Sequence, residues 1–245
     1  MIKKAFLKKQ IIKTKKDKKT SIFLRRLIFF IVDKSLKKYY KDTFSMKCLQ
    51  SSVAIRMLLE IYEIQSKEYM GAMCVSQVFH DDFQPPNWDG FWDKEHHVFL
   101  STENGELVDL TIHYLHLHPM SKENEQLQVP AVWWEDTGEY ARILKYIPFG
   151  AINIQLSNED MLDLKKFKNF VLKEHERILQ NYTVDEIVFS DILHGVKSLN
   201  ELHKTGNNNW LNKSYIFEKL DIQVPEWIKN KDNELKLKYL ATKVT

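Results

Sequence analysis

The chain has 245 residues, of which 44% are hydrophobic and only 7 are Gly and 6 Pro. That length is enough to bury a substantial core, and the composition excludes a disordered polymer or a Gly-rich sheet architecture. The net charge of +3 conceals an asymmetry: residues 1–47 hold 16 Lys or Arg against 3 acids, and residues 48–245 hold 20 against 30. The basic end suits an anionic surface, either nucleic acid or lipid, or the chain's own acidic body. Two cysteines, Cys48 and Cys74, exclude a disulfide scaffold and fit a reducing compartment. The apolar run 27–32 is too short to cross a bilayer, and no small-residue cleavage site follows it, so the reading is cytoplasmic.

Residues 1–20 read as a flexible lysine-rich tail. Thr20 or Ser21 then caps a basic amphipathic helix to about Tyr40, with Phe23, Leu27, Phe30 and Ile31 on one side. Ser45 is placed to cap a second helix over about 46–65, with Leu49, Val53, Leu58 and Ile61 as apolar positions. Residues 71–79 read as a strand, and 80–92 as a loop rich in Pro and aromatics. Two strands flank Asn104-Gly105, a strong hairpin signal. Further strands are expected near 131–135, 142–147 and 151–156. Ser157-Asn-Glu-Asp160 opens a helix to about 181, with more helices near 184–204, 209–220 and 226–241. Helices, then an antiparallel sheet, then helices make an α+β chain rather than a doubly wound one. The division is a tail at 1–20, a core at 21–156 and a helical extension packed on it at 157–245.

Cys48, His97 and Asp109 carry the chemistry in this sequence. A thiol near a helix start lies where backbone N–H groups favour its anion, an imidazole beside it can take its proton, and a carboxylate can orient that imidazole. The hairpin decides which histidine qualifies. A two-residue turn at Asn104-Gly105 would put His97 and Asp109 on opposite faces and His96 on the face of Asp109. A three-residue loop, Glu103-Asn104-Gly105 with Gly105 left-handed, pairs 102 with 106 and 99 with 109, so that His97 and Asp109 become diagonal neighbours on one face. The three-residue loop, and with it His97, is expected.

These pieces, Cys48 with its helix, His97-Val98-Phe99-Leu100, the turn at 103–106 and Asp109-Leu110-Thr111, resemble the transglutaminase-like branch of the papain-like cysteine hydrolases. The resemblance spans residues 48–112. It implies a helix packed on an antiparallel sheet, a Cys–His–Asp triad and thiol-dependent acyl transfer without a cofactor. The substrate would be a peptide, a protein or a small amide or ester, with a peptidase, amidase or transglutaminase outcome. Phe99 stands where the family has Trp and Leu110 where it has Pro. For the oxyanion, the backbone N–H of Cys48 is the first donor and Gln50 a second.

Other chemistry has less support. His80, His96, His97, His113, His116 and His118 cluster, with His116 and His118 on one face of an expected strand, yet no zinc-binding motif is present. The 85–92 segment and Trp133-Trp134 can make aromatic walls of a groove or pack as ordinary edges. Cys74, inside a strand, reads as core. No phosphate-binding loop, dinucleotide fingerprint or nucleophile-elbow serine occurs. The rival to an enzyme is a binding protein whose basic N-terminus docks on nucleic acid or anionic membrane above an inactive hydrolase-like core.

Overall fold

Ser21 starts helix α2 (Ile22–Tyr40): its hydroxyl accepts the Leu24 N–H and so satisfies one of the helix's orphan donors. The apolar run that follows is buried nearly all round, with Leu24, Leu27, Ile28, Phe29, Ile31, Val32 and Leu36 in the main core. A computed structural model describes residues 1–77, 87–117, 128–135, 144–151, 155–189, 191–206, 210–212, 226 and 229–230. Within them the chain is α+β, and no helix is long and apolar enough to cross a membrane.

The N-terminal residues are not a flexible tail. Helix α1 (Lys4–Asp17) docks through Leu7 and Thr14, and Ile2 is buried, its N–H donating to the Leu179 carbonyl. The stripe is narrow, one apolar position per turn or less, which is why lysine content hid it. A 3₁₀ segment (Lys41–Met46) follows α2, so the second expected helix begins later than Ser45. Helix α3 (Cys48–Ile61) has Cys48 as its first residue and Lys47 at the cap position.

Strands β1 (Ser66–Gln77), β2 (Asn87–Thr102), β3 (Leu107–Asp109), β4 (Ala131–Trp134), β5 (Leu144–Ala151) and β6 (Ile192–Leu193) form one sheet in the order β5-β1-β2-β3-β4-β6. All neighbours are antiparallel except β4 and β6, so the sheet is mixed rather than antiparallel. Of the strands expected near 142–147 and 151–156, the first lies within β5, which runs on to Ala151; residues 152–154 lie outside the described residues. Helix α4 (Asn158–Asn181) opens where Ser157 accepts the Asp160 N–H, as the capping pattern predicts. Helix α5 (Val196–Thr205) occupies part of the next expected helix. Those expected at 209–220 and 226–241 lie mostly outside the described residues.

The expected boundary near 157 does not divide the core. Phe167, Val171 and Ile178 of α4 join α2 and α3 in one cluster, and β6 extends the sheet. Trp133 and Trp134 are buried on β4 and form no groove wall. Residues 87–92, expected to belong to a loop, are the start of β2 and pair with β1, which contains the Cys74 backbone; residues 85–86 and the side chains of 87–92, Cys74 and His96 lie outside the described residues.

Candidate active site

The hairpin takes the three-residue loop. Leu100 pairs with Val108 and Ser101 with Leu107, the Gly105 N–H donates to the Thr102 carbonyl, and Gly105 has φ of +74°, a value that glycine adopts at little cost. That register carries His97 and Asp109 to one face. The His97 Nε2–H donates to Asp109 Oδ2 at 2.6 Å, with both side chains fully buried.

Asp109 is saturated with donors. Oδ2 also accepts the Tyr146 hydroxyl at 2.8 Å, and Oδ1 accepts the Thr111 N–H and Oγ1–H at 3.0 Å and the Ile112 N–H at 3.3 Å. A carboxylate receiving only donors has every reason to stay ionised. Burial pushes its pKa up, but His97, Tyr146 and Thr111 outweigh this and hold it below the usual carboxylate range. For His97, burial works against the charged ring. The charge and hydrogen bond of Asp109, followed by the smaller influence of Cys48, overcome it and raise the pKa to about 10. With Nε2 committed to Asp109, Nδ1 is the ring nitrogen left to interact with Cys48.

Cys48 reaches this pair because α3 lies close on β2. Ser51, Ser52 and Ala54 are small and buried on the helix. Ser52, one turn after Cys48, donates its hydroxyl to the Val98 carbonyl at 3.0 Å, directly after His97. Residues four apart share a helix face, so this bond sets the thiol over the imidazole. Cys48 is partly exposed whereas His97 and Asp109 are not, so the triad meets solvent at its sulfur end.

The N-terminus of α3 adds a second element. Lys47 supplies no side-chain cap, and the first intrahelical bond runs from Ser51 N–H to the Lys47 carbonyl. The N–H groups of Cys48, Leu49 and Gln50 precede it and point out of the helix end, where they favour negative charge. The Gln50 side chain is half-buried and stands about 200° round the helix from Cys48. A role for that side chain at the oxyanion is therefore disfavoured, and the backbone donors remain.

Linear sequence gives no sign of Tyr146. It lies on β5, two strands from β2, opposite Met73 of β1. Gly71 of β1 pairs with His97 and presents no side chain between them, which leaves the face open for the Tyr146 ring. That ring packs edge-on against Phe99, with centroids 5.0 Å apart, and lies 6.3 Å from the His97 ring. The Thr111 contacts were legible in principle, because Asp followed two residues later by an N–H donor is an Asx turn. That turn ends β3, so residues 111–117, including His116, are a 3₁₀ segment rather than a strand. The expected His116–His118 strand face is absent, His118 lies outside the described residues, and no group of three metal-ligating side chains occurs among those described. Comparison of the chain with known protein families, curated proteins and solved structures finds no match.

Proposed function

We propose that the protein is a thiol-dependent acyl-transfer enzyme whose core belongs to the transglutaminase-like branch of the papain-like hydrolases. The observation that carries this reading is the buried Asp109–His97 hydrogen bond together with the partly exposed Cys48, at a helix start, acting on the same imidazole. Structural histidine–aspartate pairs are common. A pair that also holds a partly exposed thiol at a helix start is the arrangement that nucleophilic catalysis requires.

In the proposed cycle His97 Nδ1 takes the Cys48 proton and Sγ bonds to the substrate carbonyl carbon. The negative charge that develops on the carbonyl oxygen meets the uncapped N–H groups of α3, that of Cys48 first. The imidazolium returns its proton to the departing nitrogen or oxygen, the acyl bond breaks and a thioester remains. Water, activated by the same imidazole, then attacks the thioester and releases acid and thiol; an amine in its place gives transamidation. Asp109 keeps Nε2 protonated throughout, so the base is always Nδ1. Hydrolysis is the outcome that the family resemblance favours.

The test uses p-nitrophenyl acetate, an activated ester that needs little substrate recognition. Wild type should release nitrophenolate faster than Cys48→Ala. Rapid acid quenching and peptide mass spectrometry should find one acetyl group on the peptide containing Cys48. Equal rates in wild type and Cys48→Ala, with no acetylated Cys48, would remove the basis of this reading.

A further inference from the structure

All nine lysines of residues 3–19 are exposed. Lys15 and Lys19 are bound to the body, through Glu63 and Glu135 respectively, and Lys8 acts electrostatically on Glu63. Lys3, Lys4, Lys9, Lys13, Lys16 and Lys18 form no ion pair among the described residues. The acidic remainder of the chain therefore does not neutralise its basic helix within the described structure.

Exposed aliphatic side chains accompany this charge. Ile12 is 57% exposed on the outward side of α1, among the lysines. Between α1, the start of α2 and residues 184–188 lies a cleft of about 460 Å³, whose lining includes the aliphatic Ile22, Val184 and Val188 and the cations Lys13 and Arg26 against one carboxylate, Asp185. Ile22 is 52% exposed and Val188 62%. The aromatic residues near it are occupied: Phe6 and Phe23 are partly buried and pack edge to face on each other at 4.9 Å.

Cations alone would suit any polyanion, so the aliphatic groups decide between partners. A nucleic acid duplex has no use for exposed Ile and Val, and a single strand is gripped by aromatic stacking, which this face does not offer. The headgroup and acyl boundary of an anionic bilayer takes both lysines and aliphatic side chains. We infer that the outward face of α1, with the cleft beside it, docks the folded protein on an anionic lipid surface. The apolar stripe of α1 is already in the protein core, so attachment is peripheral and electrostatic, with shallow insertion of Ile12, Ile22 and Val188.

The full-length protein would be sedimented with vesicles of about 30% phosphatidylserine in phosphatidylcholine, and with phosphatidylcholine alone. Binding is expected only to the anionic vesicles and is lost at high salt. Replacing Lys9, Lys13 and Lys16 together by Ala should lower partitioning on the order of 100-fold, since each basic residue near such a surface counts for roughly five-fold. Val188→Asp should weaken binding without changing net charge on α1, and Cys48→Ala should leave it intact, which separates this inference from the thiol chemistry. Circular dichroism and unfolding midpoints verify that each variant is folded. Equal binding to neutral vesicles, no binding to either, unchanged binding by the triple variant, or displacement from vesicles by a short DNA duplex would each overturn the proposal.

Discussion

Strand β3 is three residues long and has a buried carboxylate at each end. Before it stands Glu106, which accepts Arg25 Nη2–H at 3.0 Å, the Thr20 N–H and hydroxyl at 2.9 and 2.6 Å, and the Thr102 hydroxyl at 2.9 Å. At its end stands Asp109 with His97, Tyr146, Thr111 and Ile112. Both are fully buried and both are surrounded by donors, yet they do different things. The partner of Glu106 is a guanidinium that never yields its proton, so that end can only join the α1–α2 junction to the hairpin. The partner of Asp109 is an imidazole that also touches a thiol, so that end can move a proton. Burial and hydrogen-bond satisfaction do not mark an active site; the identity of the cation and what lies on its far side do.

The two ends also treat histidine in opposite ways. His97 beside Asp109 is raised to about 10. At the other end Arg25 donates Nη1–H to His194 Nδ1 at 3.0 Å and to Glu135 Oε1 at 2.5 Å, and burial with Arg25 depresses His194 to about 4.

The largest expected effect is on chemistry at the Asp109 end. His97→Ala should lower p-nitrophenyl acetate hydrolysis about 10²–10⁴-fold per folded molecule, the usual span for loss of a general base. At the Glu106 end the loss should be in stability alone. Arg25→Ala leaves Glu106 buried without its charge partner, at a cost of about 3–5 kcal/mol in urea unfolding. The rate per folded molecule should stay at the wild-type value; a rate that collapses with Arg25 would mean that the two ends act as one site.

Stability against pH should separate the ends again. His97 is raised, so its contribution is complete below about pH 6.5 and is lost as pH climbs toward about 10. His194 is lowered, so its contribution is complete above about pH 6.5 and is lost as pH falls toward about 4, by on the order of 2–3 kcal/mol. Asp109, also lowered, adds a loss only below the ordinary carboxylate range. His97→Gln should therefore flatten the alkaline limb of the unfolding midpoint, and His194→Gln the acid limb. Identical pH profiles in both variants would contradict the opposite shifts. The smallest effect is Tyr146→Phe, which keeps the ring against Phe99 and removes one donor from Asp109. Roughly a 10-fold loss of ester hydrolysis is expected, with a loss of about 1.5 kcal/mol in urea unfolding, the low end of the value of one hydrogen bond to a charged group.

Much of the Asp109 end was legible in the sequence because its parts are local. A turn of three residues fixes a register, the register fixes a face, and Ser21 and Ser157 mark helix starts by short-range capping. The rest depends on distant pairings. Tyr146 meets Asp109 only after β5, β1 and β2 have all paired, and Arg25 meets Glu106 across 81 positions. Neither leaves a periodic trace. The two-residue strand β6 and the narrow stripe of α1 fail for a related reason, since they are stabilised by what they dock against rather than by their own pattern.

The most direct test of the central claim is iodoacetamide alkylation of Cys48 at about pH 6, where an ordinary thiol with pKa about 8.5 is nearly all protonated. It would be followed by peptide mass spectrometry in wild type and His97→Ala, with Cys74 read in the same digests. If His97 activates Cys48, the wild-type peptide is modified at least about 10-fold faster than in His97→Ala, and Cys74 does not distinguish the two proteins. If Cys48 reacts at the same rate with and without His97, the buried pair is structural and the acyl-transfer account is wrong.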